Sequence, residues 1–258
     1  MESSSIKKVA KLYDNRITSS NDGVLAAGQW GSKEYVPQIC KEITKKIAIS
    51  KTDKILELGC GSGVLGNWVS KESGLFVGID ISFEMLKYFK NNLNDQKKNN
   101  LLNGVTNSIP FKDNFFDIII INGVTMYFDE KTLFKKTLDE MVRVAKNEST
   151  LFIGENIIPS GFPYEFVWFH NLSKTKQKWA KYYISLRKWM AKYDRFAGKW
   201  ADSYNVVSPS FLKKYFGSES KIIQSKSAAY SVKEKMQGTD YKGNKRVDFV
   251  IELNKGKK

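Results

Sequence analysis

Three glycines at alternate positions, Gly59, Gly61 and Gly63, follow directly on the apolar run Lys54 to Leu58. Two acids frame them, Glu57 inside that run and Asp80 one helix further on. Glycines so spaced permit a tight turn and a close approach of ligand to backbone, and a helix expected from Val64 onward aims its N-terminus at the same place. That is the chemistry of a nucleotide-type site. Gly61-Ser62-Gly63-Val64-Leu65-Gly66 satisfies the Gly-x-Gly-x-x-Gly pattern of dinucleotide loops, with Asp80 at a workable distance, so a nicotinamide-dependent oxidoreductase is one reading. Two details point elsewhere. Gly59 adds an earlier Gly-x-Gly step, and Glu57 places a carboxylate where a pyrophosphate is repelled and a cationic ligand attracted.

Proton-transfer candidates are few. His170 is the single histidine, with an ordinary pKa of about 6.5, and Glu155 stands just after the apolar run Leu151 to Gly154. His170 follows Phe166, Trp168 and Phe169 and reads otherwise as a packed member of an aromatic cluster; Glu155 reads otherwise as a lysine's ion-pair partner. Asn122 ends the run Asp117 to Ile121, and open α/β sheets bind ligands beyond the carboxyl ends of their strands. Tyr13 and Trp30 are aromatics of the N-terminal arm, available to close over a site or simply to pack. Cys40 and Cys60 lack a Cys-x-x-Cys spacing and, with one histidine, make neither a disulfide framework nor a four-ligand zinc site. No metal is expected.

Short apolar runs alternate with helical patterns around these residues. Lys54 to Leu58, Leu75 to Ile79, Phe116 to Ile121 and Leu151 to Gly154 read as strands, with a weaker one near Leu101 to Val105. Val64 to Val69, Phe83 to Leu93 and Thr132 to Ala145 read as the helices between them, an order that implies a parallel sheet covered on both faces. Ahead of it, Tyr35 to Ile47 is a helix, and residues 1 to 32 an irregular arm with a short helix around Ile6 to Tyr13. Beyond Pro159 the pattern changes. Trp179, Tyr182, Tyr183, Leu186, Trp189, Met190 and Tyr193 recur at three- and four-residue spacings opposite lysines, the pattern of a helical cap. A short helix from Ser208 to Phe216, strands Lys221 to Ser225 and Val247 to Leu253, and a turn at Tyr241 to Lys245 return the chain to the sheet. The division expected is one domain over 1–258: arm and helix 1–50, cofactor core 51–158, cap 159–205, and C-terminal strands 206–258.

With these motifs the chain resembles the class I S-adenosylmethionine (SAM)-dependent methyltransferases, particularly the small-molecule type 11 group and the quinone-biosynthesis enzymes. Ile55 to Gly63 is similar to the family's first motif and Val77 to Ser82 to its second, whose acid, here Asp80, binds both ribose hydroxyls. Ile109 to Asp117 and Glu140 to Lys146 are similar to the stretch leading into the fourth strand and to the end of the following helix. Val9 to Asp14 is similar to the arm whose tyrosine, here Tyr13, closes over the methionine part. The resemblance spans roughly residues 5 to 157. It implies a Rossmann-like sandwich on a mostly parallel seven-stranded sheet whose last strand is antiparallel, S-adenosyl-L-methionine as cofactor, and Tyr13, Trp30, Glu57, Gly59, Cys60, Gly61, Gly63, Asp80, Ile81, Thr106, Asn107 and Asn122 as its contacts. Where the family carries Gly-Asp-Ala this chain has Gly104-Val105-Thr106, so the adenine contact passes to the backbone at Thr106 or to Asn107.

The activity implied is methyl transfer to an oxygen or nitrogen of a small metabolite. A net charge of +15 favours an anionic or carrier-linked one. The same charge keeps tRNA in view as an acceptor, although the Asn122-Gly123-Val124-Thr125 stretch lacks the Asn/Asp-Pro-Pro-aromatic loop of amino-group methylases. A lysine-rich cap lying on anionic membrane and a non-catalytic partner protein of the same fold are further readings; no partner protein is indicated. Without a signal-like or membrane-length apolar stretch, the compartment expected is the cytoplasm.

Overall fold

Strand β1 (Lys54–Leu58) sends alternate side chains to opposite faces, Leu56 and Leu58 into one core layer and Ile55 into the other. β4 (Phe116–Asn122) does the same, with Ile119 and Ile121 on the first face and Ile118 and Ile120 on the second. Both strands are therefore buried on both sides, as their continuous apolar runs require. The computed structural model describes residues 4–28, 30, 33–93, 99–128, 131–157, 207, 209–237 and 246–255. The expected cap 159–205, His170 within it, and the turn Tyr241 to Lys245 lie outside the described residues.

β2 (Leu75–Asp80), β3 (Asn99–Asn103), β5 (Ala145–Ile157), β6 (Lys221–Lys226) and β7 (Arg246–Asn254) complete a seven-stranded sheet in the order β3-β2-β1-β4-β5-β7-β6. β7 runs antiparallel to both β5 and β6, and the pairings among β3, β2, β1, β4 and β5 are parallel. This is the sheet the resemblance implied. The strand order reverses beside β1, whose neighbours β2 and β4 lead away to opposite edges, and that arrangement opens a crevice beyond the strands' carboxyl ends.

Helices α3 (Val36–Ile47), α4 (Gly66–Glu72), α5 (Phe83–Asn91) and α8 (Ala228–Gln237) cover one face, with Ile39, Val69, Phe89 and Val232 buried on it. α6 (Lys131–Val144) and α7 (Pro209–Phe216) cover the other through Phe134, Leu138 and Leu212. The arm is more regular than expected. α1 (Ser4–Ser20) continues well past Tyr13, because Ile17 extends its apolar stripe into a small cluster with Ala26 and Met85, and α2 (Gly23–Ala27) follows, capped by Asp22. β3 begins two residues earlier than expected, and β5 begins at Ala145, well ahead of the apolar run that marked it. No helix among the described residues is long and apolar enough to cross a membrane.

Candidate cofactor cleft

Asp80 ends β2, and its two carboxylate oxygens are each tied to a backbone N–H. Gly61 donates to Oδ2 at 2.7 Å and Ser82 to Oδ1 at 2.8 Å. The first bond joins the glycine loop to the neighbouring strand; the second is a local turn that starts α5. Burial pushes the Asp80 carboxyl up to about 6, with the two N–H groups pulling the other way. Asn103, at the end of β3, donates to the carbonyls of Asp80 and Ile81 and holds the turn from beneath.

The glycine loop differs from the sequence-based expectation in one respect that matters chemically. Its N–H groups do not point at a ligand. Gly59 and Cys60 both donate to the Ile79 carbonyl, Gly61 to Asp80 and Gly63 to the Cys60 carbonyl, while α4 starts only at Gly66. With four of its N–H groups used internally and Asp80 bound at Gly61, the loop lacks the converging donors of a phosphate cradle, which weakens the nicotinamide reading. The three glycines also divide the work. A Cβ at Gly59 would lie 2.3 Å from Val124, one at Gly63 would lie 2.0 Å from the Phe89 ring, and one at Gly61 would meet nothing within 4 Å. Gly59 and Gly63 are packing glycines; Gly61 leaves space open on the cleft side.

Glu57 is 4% exposed, and its Oε2 has no hydrogen-bond partner among the described residues. Burial, and then the charge of Asp80, pushes its carboxyl well above the usual range. A buried carboxyl without a donor is costly unless something arrives to satisfy it, and a cation serves best. Trp30 and Asn107 each carry a further buried polar atom, Nε1 and Oδ1, without a partner among the described residues.

These groups share one cleft. Tyr13, Trp30, Glu57, Gly59, Cys60, Gly61, Asp80, Ile81, Thr106, Asn107 and Asn122 all line it, eleven of the twelve positions expected to hold cofactor. Gly63 is the exception, for the packing reason just given. The cleft holds about 1160 Å³ of space, counting its open mouth, enough for a cofactor-sized ligand. Along its floor, Thr106 and Asn107 follow β3, Asp80 ends β2, Glu57 lies in β1 and Asn122 ends β4, so an extended ligand crosses four strands. Thr106 is itself bound to Thr137 of α6 through their hydroxyls at 2.9 Å, leaving Asn107 as the side chain there with an acceptor to offer.

The arm forms the roof. Asp14 accepts from the Ser82 hydroxyl at 2.6 Å and from the Glu84 N–H at 3.1 Å, so α1 is fastened to the start of α5 beside Asp80. Ser62 donates to the Gly23 carbonyl at 2.7 Å and fixes α2 to the glycine loop. Tyr13 donates to the Tyr127 hydroxyl at 2.5 Å, with the rings edge to face, and links the arm to the segment after β4. Tyr127, Val24, Ala27 and Leu133 line the cleft without having been singled out in the sequence. Tyr127 could have been found by the criterion that found Asn122, its position just past the end of β4.

Glu155 is placed elsewhere. It is 4% exposed, it is not among the residues lining the cleft, and it accepts from Arg246 of β7 at 3.3 Å, so the structure gives it the ion-pair role and removes it as a proton acceptor at the cleft. Its backbone, at φ 59°, sits in the irregularity where β5 and β7 change register, and its N–H donates to Asp248.

Sheet order, strand polarity and a cleft at the carboxyl ends of β1, β2 and β4 together define a class I methyltransferase fold. Residues 56–153 match the family described as "Methyltransferase domain". The chain is 30% identical over 110 residues to a demethylmenaquinone methyltransferase of Staphylococcus saprophyticus, covering 41% of this chain and 46% of that one. It is 38% identical over 63 residues to the mouse 18S rRNA (guanine-N(7))-methyltransferase, covering 24% and 22%. The matched segments thus span less than half the length of these curated relatives. In fold it is similar to a Haemonchus contortus phosphoethanolamine N-methyltransferase in complex with phosphoethanolamine and S-adenosylhomocysteine, with a TM-score of 0.67 at 10% identity, covering 100% of this chain and 51% of that one.

Proposed function

We propose that this protein binds S-adenosyl-L-methionine in the cleft and transfers its methyl group to an oxygen or nitrogen of a small molecule. The observation that carries the reading is the pair of cleft carboxylates. Asp80 is held rigid by Gly61 and Ser82 at a strand end and keeps lone pairs for two ribose hydroxyls; Glu57 is buried, unpartnered and suited to an ammonium group. Bound there, the cofactor supplies an electrophilic methyl group on a sulfonium. The chain's own part is to position and to exclude water. Asn107 offers its acceptor to the adenine amino group in place of the acid missing at Val105, and Ile81 and Val105 give the base an apolar bed. Tyr13, drawn onto Tyr127, closes the arm over the reacting end.

For the acceptor, the described wall argues for an uncharged reacting group. Among the described residues lining the cleft there is no lysine, arginine or histidine. Any phosphate or carboxylate that the +15 charge attracts therefore lies away from that wall. Nucleophiles that are neutral amines need no base, and Glu155 is not available as one. A cytoplasmic location fits the two buried, unpaired thiols of Cys40 and Cys60, whose acidities burial weakens.

A thermal-shift comparison with SAM, S-adenosylhomocysteine and NADH, beside Asp80→Ala, tests the cofactor, since a ligand that binds the folded state alone raises the melting temperature. Stabilisation by the first two, abolished in Asp80→Ala, is expected; a shift with NADH alone would end the methyltransferase reading. Small-molecule and tRNA acceptors are then separated by methyl incorporation from labelled SAM. A salt-sensitive tRNA shift with methylated RNA as product would replace the small molecule.

A further inference from the structure

The amino-acid end of the cofactor presents a zwitterion, and none of the described residues lining the cleft is a cation to meet it. Glu57 suits the ammonium, which leaves the α-carboxylate in need of a donor. The usual sources are absent or used. No lysine, arginine or histidine lines the cleft among the described residues, and the N–H groups of Gly59, Cys60, Gly61 and Gly63 already donate within the protein. The ligand crosses from Asn107 past Asp80 to the glycine loop, so Asn107 lies at the base end, far along the floor from the loop.

Trp30 supplies a donor along the described wall. It is 4% exposed, it lines the cleft, and its Nε1 is buried with no partner among the described residues. Its ring belongs to the same packed layer as Cys60 and Leu65 of the loop segment, together with Ile39 of α3 and Ala229 of α8. An indole nitrogen can only donate, and with no acceptor among the described residues meeting it, it is open to one from a ligand.

We propose that the indole N–H of Trp30 holds the α-carboxylate of the bound cofactor while Glu57 holds its ammonium, a neutral donor standing where a cation would otherwise be used. This rests on the cofactor reading above. A neutral donor also keeps the vicinity of the sulfonium free of a repelling positive charge.

Calorimetric titration of the full chain and of Trp30→Phe with two ligands separates the possibilities: S-adenosylhomocysteine, and its decarboxylated analogue, which keeps the amine and the nucleoside. The wild-type protein is expected to prefer the carboxylate-bearing ligand by about tenfold or more, the worth of one hydrogen bond to a charged group. Trp30→Phe is expected to lose that preference while binding the decarboxylated ligand as the wild type does. An unchanged preference, or an equal loss for both ligands, would overturn the assignment. A wild-type protein that binds neither ligand would instead overturn the cofactor reading itself. Should Trp30→Phe fail to fold, the wild-type indole N–H resonances decide. One of them, assigned to Trp30, must shift with S-adenosylhomocysteine and stay in place with the decarboxylated analogue; a resonance indifferent to both sinks the proposal.

Discussion

Two pairs of carboxyls, with Glu57, Glu155 and Asp248 buried and Asp80 half-buried, are built differently. Asp248 and Glu155 lie between β5, β7 and α8 with partners supplied. Lys46 of α3 reaches Asp248 at 2.7 Å, the N–H groups of Glu155 and Ala228 donate to the same carboxylate, and Arg246 meets Glu155. Glu57 and Asp80 lie in the cleft with backbone donors for Asp80, none recorded for the Glu57 Oε2, and no cation along the described wall. Burial raises all four carboxyls, but only in the first pair does a protein cation pull against it. Among the described residues one pair of acids is matched by the protein's own lysine and arginine and the other is not, which is why the proposed function gives Glu57 the cofactor's ammonium group.

Removing the cation from the satisfied pair has the largest expected effect. Lys46→Met strands Asp248 with its N–H donors alone and should cost about 3 kcal/mol in urea unfolding, with the affinity of the folded protein for S-adenosylhomocysteine unchanged. A loss of affinity without a loss of stability would erase the distinction between the two pairs. The glycines sharpen it next. Gly63→Ala drives a methyl into the Phe89 ring at φ 80° and should destabilise by about 2 to 3 kcal/mol, whereas Gly61→Ala, at φ 52° in open space, should cost about 1 kcal/mol of stability and weaken cofactor binding. Equal stability losses would contradict the separate roles given to the two positions.

In the cleft pair, Glu57→Gln removes the carboxyl that lacks a protein partner. Stability should hold or rise, and S-adenosylhomocysteine affinity should fall about tenfold, read by calorimetry. The pH dependence of Asp80 is the subtlest test. Its acidity is weakened by folding, so its contribution to stability is complete below its ordinary value of 3.8 and is lost as the pH rises through about 6. Ligand binding has the opposite sign, because ribose hydroxyls need the ionised carboxylate: affinity should drop about tenfold per pH unit below 6. In Asp80→Asn that slope should shrink, leaving the part contributed by Glu57, whose carboxyl burial also raises.

The parts of the site legible in the sequence were those set by local rules. A strand running into alternating glycines, with an acid inside it and another at the next strand end, identified the floor of the cleft, and eleven of twelve expected contacts line it. What could not be read was set by distant partners. Glu155 stands at a strand's carboxyl end, where a ligand group is expected, but Arg246 in β7 captures it. The loop's N–H groups seemed free because the Ile79 carbonyl that takes two of them belongs to another strand. α8 went unnoticed since its buried face is made of Ala228, Ala229 and Val232, too small for a helical stripe to stand out, and its N-terminus is held by Ser227 and by Asp248 of β7. Beyond Tyr13, α1 is mostly polar, and only Ile17 betrays that it continues.

β7 lies between β5 and β6, yet in the chain it follows both. As the polypeptide leaves the ribosome, β5 therefore presents Leu151, Phe152 and Ile153 along an unpaired edge until residues 246–254 have been synthesised, and β6, whose strand partner among the described residues is β7, has no place in the sheet before then. Truncations that remove β7 leave that apolar edge uncovered and should aggregate rather than yield a smaller folded protein.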